Sequence, residues 1–378
     1  MTGKRHFKLF WMILALVLLS FPLFSSLDRV EQPKISPALR YYMCFRADQP
    51  MVIDGKLSEE SWKKIYWSED FVDIEGKSKA KPRYKTRVKL LWDDDYFYVG
   101  AELEEPHVWA TLKERDSIIY LDNDFEVFVD PDGDTHNYYE LEINALDTVW
   151  DLLLVKPYRD GGPAIHSWDI QGLKTAVYVD GTLNNPGDKD KGWSVEIAIP
   201  WNVLREAATF KKKPEPGELW RMNFSRVEYR TLVENGTYVK ARDPKTGQNL
   251  AEDNWTWAPQ GVINIHYPEM WGYVQFTATA AGKAKEYCEE DPEAEVKWAL
   301  RRIYYRERNF FAEKGSFALT LEELNLAREK DLKIKGWNYP PVIQITDSLF
   351  EAIYANKRGE KWHLRQDGLI WKTGLGEK

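Results

Sequence analysis

The stretch Asp122-Asn-Asp-Phe-Glu-Val-Phe-Val-Asp-Pro-Asp-Gly-Asp134 decides the fold class of this chain, because apolar and polar residues alternate along it up to a turn. In an extended strand Phe125 and Val127 point to one face, and Glu126 points to the other. The alternation resumes after the turn, over residues 139–145. Alternating segments that flank Pro, Asp and Gly are typical of antiparallel strands. The stretch therefore predicts a half-buried sheet with carboxylates on its polar, non-core face.

Segments of the same kind recur along the chain and predict about ten short strands in all. They fall at residues 88–99, around an acidic turn, and at 150–155, 175–179, 193–199, 220–228 and 271–276. Short strands separated by Gly, Pro and Asp are typical of sandwiches and jelly rolls. We predict a mainly β fold, an antiparallel β-sandwich of the jelly-roll-like type over residues 43–281, with a short helix that begins at Ser58.

The pattern changes after residue 281, from strand alternation to helical spacing. Asp291-Pro opens a helix that ends at Gly315, and Thr320 begins a second, capped helix. The last residues alternate again, as in a small antiparallel meander. A body of roughly 350 residues exceeds what one core usually organises. We therefore predict a separate small α+β domain, of unassigned role, at residues 290–378.

The N-terminal residues have the composition of an export signal. Basic residues up to Lys8 precede an apolar run at residues 9–19, which is short for a membrane span. Residues 1–26 are predicted to be a cleaved signal peptide, with an uncleaved N-terminal membrane anchor as the alternative, and residues 27–42 a spacer. In either case we expect an exported protein, which is periplasmic, on the cell surface or secreted.

The charge of the chain limits the classes of partner that it is expected to bind. Lys plus Arg number 52 against 60 Asp plus Glu, which gives a net charge of −8. Nucleic acids and anionic membrane surfaces both need a concentrated basic patch. We therefore expect no nucleic acid as a partner, and a membrane only through an uncleaved N-terminal segment.

Cys44 and Cys288 flank the predicted sandwich. The sequence is compatible both with a disulfide between them and with two free thiols.

Aromatic residues are abundant, with 17 Trp in the chain. Sugars stack their apolar faces on aromatic rings and bond their hydroxyls to carboxylates and amides. The cluster Asp253-Asn-Trp-Thr-Trp257 has the composition of a loop, in which Trp255 and Trp257 would share one side. Exposed aromatic residues in a loop indicate a binding surface, so this loop is predicted to contribute to a ligand site.

Four segments in this order, residues 52–62, 88–99, 122–134 and 193–201, resemble the family 9 carbohydrate-binding modules, and the resemblance extends over residues 43–276. It implies an oligo- or polysaccharide as the partner, held between two aromatic rings, in some cases by its chain end. It also implies a role in polysaccharide catabolism, in association with glycoside hydrolases.

By the same resemblance the two rings fall on Tyr120 and Trp257, the amide beside the second ring on Asn254, and a strand carboxylate on Glu126. Glu142 stands where the family has a basic residue, so a carboxylate accepts hydrogen bonds where a guanidinium would donate them. The predicted ligand-binding set also includes three neighbours of these residues: Glu140, Asn144 and Trp255.

A cation site is open at the turn after the first quoted strand. Asp130, Asp132 and Asp134 place carboxylates at alternate positions, as calcium loops do, and the resembled family includes calcium-binding members. An ordinary hairpin turn accounts for the same residues. No cofactor is required, and calcium is the metal that this turn would take.

Other functions fit parts of the sequence. Glu126, Glu140 and Glu142 could form the paired carboxylates of a glycoside hydrolase, but the sequence carries no nucleophile elbow, zinc helix or phosphate loop. We expect a binding protein rather than an enzyme.

A haem-binding electron-transfer domain of similar fold is the rival function, and four residues could serve as its axial ligands: Met222, Met270, His166 and His266. A surface scaffold without a ligand is the third alternative.

Overall fold

The structure is a computed structural model that describes residues 29–37 and 40–374. The predicted signal peptide or anchor at residues 1–26 lies outside these residues. Among the residues that the structure describes, no helix is both long and apolar enough to cross a membrane. Cys44 and Cys288 are free thiols, so the structure has the unbridged alternative.

Short strands build the first unit, and two four-residue helices, α1 (Glu60–Lys63) and α2 (Trp201–Leu204), connect some of them. The strands are β1 (Tyr41–Arg46), β2 (Val72–Asp73), β3 (Thr86–Trp92), β4 (Tyr96–Glu104), β5 (Asp124–Asp130), β6 (Tyr138–Asn144), β7 (Val149–Leu154), β8 (Ala164–Ile165), β9 (Lys174–Asp180), β10 (Gly192–Pro200), β11 (Leu219–Glu228), β12 (Thr231–Glu234), β13 (Thr237–Lys240), β14 (Asp253–Thr256) and β15 (Gly272–Ala280).

One large sheet contains all of these strands except the hairpin β12–β13. Its order is β8-β7-β6-β5-β11-β15-β1-β3-β4-β10-β9, and β14 and β2 extend it beside β11. Most neighbours are antiparallel, but β1 is parallel to β15 and to β3. The sheet folds over on itself, so that the strands from β9 to β1 face the strands from β15 to β7 across one core. The predicted mainly β sandwich is confirmed.

Apolar residues at alternate positions along the strands of both halves of the sheet form this core. Val88 and Leu90 of β3 face inward from one half, and Phe125 and Val127 of β5 face inward from the other. All four side chains are buried, and each contributes about 1.5–3 kcal/mol by leaving water. The predicted faces of β3, β5 and β6 are confirmed, and the carboxylates of β5 and β6 lie on the outer face of the second half.

A buried carboxylate fixes the turn that precedes α1. The Glu196 side chain accepts the backbone N–H groups of Asp54 and Gly55, at 2.9 and 2.8 Å, and the indole N–H of Trp62 at 2.7 Å. Gly55 has φ +83°, and a Cβ there would lie 2.6 Å from the backbone nitrogen of Tyr178. Only glycine fits this position. The Glu196 carboxylate thereby links residues 52–62 to residues 193–201, the first and the last of the four segments that carry the family resemblance.

The second unit consists of a long helix and a small meander. Helix α3 (Ala294–Lys314) ends at Gly315, whose φ is +73°, as the sequence predicts. The meander strands are β16 (Val342–Ile345), β17 (Phe350–Ala355), β18 (Lys361–Arg365) and β19 (Ile370–Thr373).

Two predicted helix starts need correction. The short helix expected from Ser58 begins at Glu60, and no side chain caps it. The second capped helix is wrong as a helix, because residues from Thr320 on form a series of turns. The capping bonds themselves are present, since the Thr320 hydroxyl donates to Glu323 and accepts its N–H. The capping pattern is satisfied by one turn without a helix after it.

Buried charges join the two units. The guanidinium of Arg308 on α3 pairs with Asp160 and donates to the carbonyl of Arg159 at 2.9 Å. The Tyr304 hydroxyl donates to Asp160 at 2.5 Å, and the Tyr305 hydroxyl bonds to Glu269. The core of the second unit also includes apolar residues of the first unit, such as Tyr267. The division at residues 281–290 stays a prediction, but these contacts favour a docked second unit.

We predict that Arg308→Met lowers the free energy of unfolding by about 3 kcal/mol, because it removes one partner of a buried ionic network. Urea unfolding followed by circular dichroism measures this. The matched control is Arg306→Met on the exposed face of the same helix, which should stay within about 0.5 kcal/mol of wild type. Equal effects of the two variants, together with proteolytic release of a stable fragment from residue 290 on, would contradict the docked arrangement.

Candidate functional site

Four carboxylates from adjacent strands meet on the outer face of the second half of the sandwich. Glu126 on β5 lies directly opposite Glu142 on β6, and Glu142 lies opposite Trp150 on β7. Asp124 and Glu140 stand two residues away on the same strands, so they share this face. We call Asp124, Glu126, Glu140 and Glu142 the acidic cluster.

The acidic cluster is buried, whereas an open polar face was expected from the sequence. Only 1% of Glu142 is exposed. Burial raises the pKa of Glu126 to about 7. Burial, followed by the charge of Glu126, raises the pKa values of Asp124, Glu140 and Glu142 well above their usual range. Like charges directly opposite each other across a sheet are destabilising. The acidic cluster is therefore stabilised when its carboxylates are protonated or when a positive charge lies beside them.

Part of the hydrogen-bonding capacity of the acidic cluster is unused. Glu142 Oε2 accepts the N–H of Tyr120 at 2.9 Å, and Asp124 Oδ1 accepts the N–H of Val227 at 3.0 Å. Asp124 Oδ2 and Glu140 Oε2 are buried without a partner among the described residues. Buried polar atoms normally have a partner, so the two free oxygens mark a place where a ligand could bind.

Tyr120 lies beside the acidic cluster, and 41% of the residue is exposed. Its backbone is fixed on both sides, because its N–H donates to Glu142 and its carbonyl accepts the hydroxyl of Tyr229 at 3.1 Å. The ring centroid is 6.3 Å from that of Trp150. A held backbone with a free ring face is what a stacking platform requires.

Two more exposed rings, Tyr158 and His166, continue this surface, and the buried ring of Trp150 lies beneath it. His166 stacks on Trp150 at 5.5 Å, with 10° between the ring planes. Tyr158 is 47% exposed, and its pKa is raised to about 12 by partial burial and then by the charges of Glu140 and Glu142. The Tyr158 ring packs edge-on against His266, which in turn packs against Phe128 on the face of β5 that carries Glu126, so Tyr158 lies on the same side of the sheet as the acidic cluster. We call these rings together the aromatic rim: Tyr120, Trp150, Tyr158 and His166.

Asn144 borders the acidic cluster but has a structural role. Its Oδ1 accepts the N–H groups of Leu146 and Thr148, at 3.0 and 3.1 Å. Its Nδ2 donates to the carbonyl of Leu112 and to Asp122, at 2.9 and 3.1 Å. This exhausts the amide. The ligand role predicted for Asn144 is corrected, since the residue holds two loops in place.

Trp257 is the largest correction to the predicted site. The side chain is 0% exposed and packs on the core side of β11, with its ring centroid 5.8 Å from that of Phe224. Its indole N–H donates to Glu69 at 3.2 Å, and a Cβ at Gly272 would lie 2.4 Å from the ring. Tyr120 and Trp257 are therefore on opposite faces of the sheet, and the predicted two-ring clamp does not form.

Trp255 is also buried, which makes the predicted exposed loop wrong. The residue belongs to β14, and its ring is 5.3 Å from the guanidinium of Arg226 and edge-on to Tyr84. The two Trp residues do share one side, as expected, but that side is the core. Asn254 lies opposite Val227 on the same strand pair, partly buried, and its ligand role stays a prediction.

Three groups of carboxylates bring one oxygen each within 4.8 Å of the others, as a metal site requires. The groups are Asp124, Glu126 and Glu142; Asp130, Asp132 and Asp134; and Asp116, Asp151 and Asp169. In the third group Arg115 pairs with all three carboxylates. The protein itself thus supplies one positive charge to that group.

The predicted calcium turn has a mixed character. Asp130 accepts the N–H groups of Gly133 and Thr135, both at 3.0 Å, which are bonds of an ordinary turn. Burial raises the pKa of Asp132 to about 6 and that of Asp134 to about 7. The hydrogen bonds fit an ordinary hairpin turn and the carboxylates fit a cation site, so neither alternative is decided. Calcium binding at this turn stays a prediction.

The four residues suggested as haem ligands lie in different surroundings. Met222 is in the sandwich core and Met270 in the core of the second unit. His166 belongs to the aromatic rim. His266 is half-buried with its Nδ1 2.9 Å from the Tyr138 hydroxyl, and loss of hydration followed by the charge of Arg159 lowers its pKa to about 3. This arrangement gives the haem alternative no support.

Several residues of the site were not predicted. Asp124 and Trp150 had a detectable signal, because strand alternation puts Asp124 on the face of Glu126 and puts Trp150 on the face of Leu152. Tyr158 and His166 come from loops between β7 and β9. Their position depends on tertiary packing, for which the sequence offers no local pattern.

Comparison with known proteins identifies the first unit. Residues 53–256, more than half of the chain, match the family described as carbohydrate family 9 binding domain-like. Among curated relatives, the chain is 27% identical over 153 residues to exoglucanase XynX of Acetivibrio thermocellus, covering 40% of this chain and 12% of that protein. It is 33% identical over 88 residues to endo-1,4-beta-xylanase C of Paenibacillus barcinonensis, covering 23% and 7%. The chain thus spans a small part of these relatives.

Two solved structures are also similar to the chain over part of its length. One is a family 9 carbohydrate-binding module from Caldicellulosiruptor kristjanssonii in complex with cellotriose, with 16% identity, a TM-score of 0.41 and coverage of 66% of this chain and 100% of that one. Another is a putative carbohydrate-binding protein from Bacteroides uniformis, with 16% identity, a TM-score of 0.43 and coverage of 63% and 99%.

We predict that Trp257→Ala lowers the free energy of unfolding by about 3–5 kcal/mol, because it leaves a cavity in the core. Tyr120→Ala removes an exposed ring and should cost less than about 1 kcal/mol. Urea unfolding at one pH compares the two. Similar small losses in both variants would show that Trp257 is not a core residue.

A second prediction concerns pH. The pKa of Glu126 is about 7 in the folded protein against an ordinary value of 4.5, so the folded state holds a proton that the unfolded state releases. The stabilisation is complete below the unfolded pKa and is lost as pH rises through the folded pKa. The free energy of unfolding of wild type, relative to Glu126→Gln, should therefore fall between about pH 5 and pH 8. Exposed Glu114→Gln should leave the profile unchanged, and a flat wild-type difference would contradict the assignment.

Proposed function

The chain belongs to the carbohydrate family 9 binding domain-like family, and we propose that its acidic cluster and aromatic rim together bind a glycan. The observation that carries the proposal is Tyr120, whose ring is exposed while its backbone is tied to Glu142. The platform for stacking and the acceptor for hydroxyl groups are thereby held in a fixed relation.

The chemistry of this surface suits a neutral sugar. Carbohydrate hydroxyls donate and accept hydrogen bonds, so they pair with carboxyl groups in either protonation state. The Tyr158 hydroxyl offers a further donor on the same side of the sheet. Rings at the rim take the apolar faces of the pyranose, and preorganised side chains reduce the entropic cost of binding.

The proposal is one of binding without catalysis. The carboxylates of the acidic cluster lie on strands beneath the rim and are almost fully buried. A glycosidase would need two of them on either side of a glycosidic bond. We propose that the chain is exported and assists the breakdown of polysaccharides by holding them, in keeping with its likeness to segments of an exoglucanase and a xylanase.

The test is calorimetric titration of the purified protein with cellotriose, xylotriose and the reduced alditol of each. Tyr120→Ala should weaken binding about tenfold, since a lost stacking ring costs about 1 kcal/mol or more. Glu142→Gln should also weaken it, because the variant disturbs the anchor of Tyr120. Leu121→Ala, an exposed apolar neighbour of Tyr120, is the matched control and should bind as wild type does.

A loss confined to the alditols would assign the site to chain ends. Wild-type affinity in Tyr120→Ala, with binding abolished by a change elsewhere on the sandwich, would contradict the proposed site.

A further inference from the structure

Three carboxylates of the acidic cluster have the arrangement of a metal site, and we propose that Asp124, Glu126 and Glu142 bind a hard divalent cation of the calcium type. One oxygen of each lies within 4.8 Å of the others. Hard divalent cations take carboxylate oxygens at about 2.3–2.6 Å, so three oxygens at this mutual spacing fit around one ion.

Unpartnered oxygens supply a second, independent indication. Glu140 is outside the three-residue group but lies two residues from Glu142 on the same face of β6. It is 5% exposed, and its Oε2 has no hydrogen-bond partner among the described residues. Asp124 Oδ2 is likewise unpartnered and fully buried. Buried acceptors without donors are costly, and a cation held by the three-residue group would satisfy the free oxygen of Asp124.

The charge of the site leads to the same occupant. None of the ion pairs among the described residues involves a carboxylate of the acidic cluster, whereas several other buried carboxylates of the chain, such as Asp160 and Glu269, are paired with arginine. Glu126 and Glu142 also face each other directly across the strands. Burying several like charges without a counter-ion is strongly unfavourable. A divalent cation bound between these carboxylates relieves this repulsion.

The inference about the cation is independent of the proposed function, because the three oxygens belong to this chain alone. Its consequence for the glycan rests on the proposed function. Tyr120 is tied to Glu142 through its N–H, so an ion that fixes Glu142 also fixes the rim platform. Calcium should therefore strengthen glycan binding while it stabilises the fold.

The experiment is calcium titration of purified full-length protein after treatment with EDTA, at neutral pH and without sugar, followed by differential scanning calorimetry and isothermal calorimetry. Saturating calcium should raise the melting temperature of wild type by about 5 °C. Glu142→Gln should lose one calcium equivalent and this response. Without metal, Glu142→Gln should melt no lower than wild type, because it removes one like charge from the buried group.

The matched control is Asp132→Asn in the acidic turn, which leaves the acidic cluster intact. It should keep the stabilisation seen in wild type. Loss of the response in Asp132→Asn with retention in Glu142→Gln would overturn the proposal and place the ion in the turn, and no response in wild type would overturn it as well. If Glu142→Gln does not fold, Glu126→Gln serves in its place. Cellotriose affinity with and without calcium then tests the glycan consequence alone, so failure of either claim is recognised separately.

Discussion

The direct opposition of Glu126 and Glu142 across β5 and β6 is the constraint on which the candidate site depends. Strand register fixes it, so the two carboxylates cannot move apart without disrupting the sheet. Burial in the outer layer then raises their pKa values. A sheet that only needed to fold would place apolar or opposite-charge pairs there. The cost of this pairing is understandable if a ligand or an ion offsets it, as expected of functional sites.

The layers around this pair explain why the site is placed where it is. Inward residues of β5 and β6 belong to the sandwich core, which makes the strands rigid. Loops between β7 and β9 bring Tyr158 and His166 to the outer face. The buried pair of Arg308 with Asp160 then attaches the second unit beside Tyr158. We infer that the second unit supports the loop that carries part of the rim, which gives residues 290–378 a structural role.

How far the site could be predicted follows from what alternation does and does not determine. Alternation correctly separated Phe125 and Val127 from Glu126, because strand geometry allows one outcome. It also put Trp255 and Trp257 on a common side, but it carries no information on which side faces solvent. Their composition suggested a loop, whereas pairing of β14 with β11 buried both. The Tyr158 contact could not be predicted, since it arises between segments distant in sequence.

The most direct test of the central claim is a crystal structure of the protein grown with cellotriose and calcium. The account predicts sugar density against the exposed ring of Tyr120, with hydroxyls toward Glu140 and Tyr158, and an ion between Asp124, Glu126 and Glu142. Sugar bound on another face of the sandwich, with the acidic cluster unchanged from its sugar-free state, would contradict it.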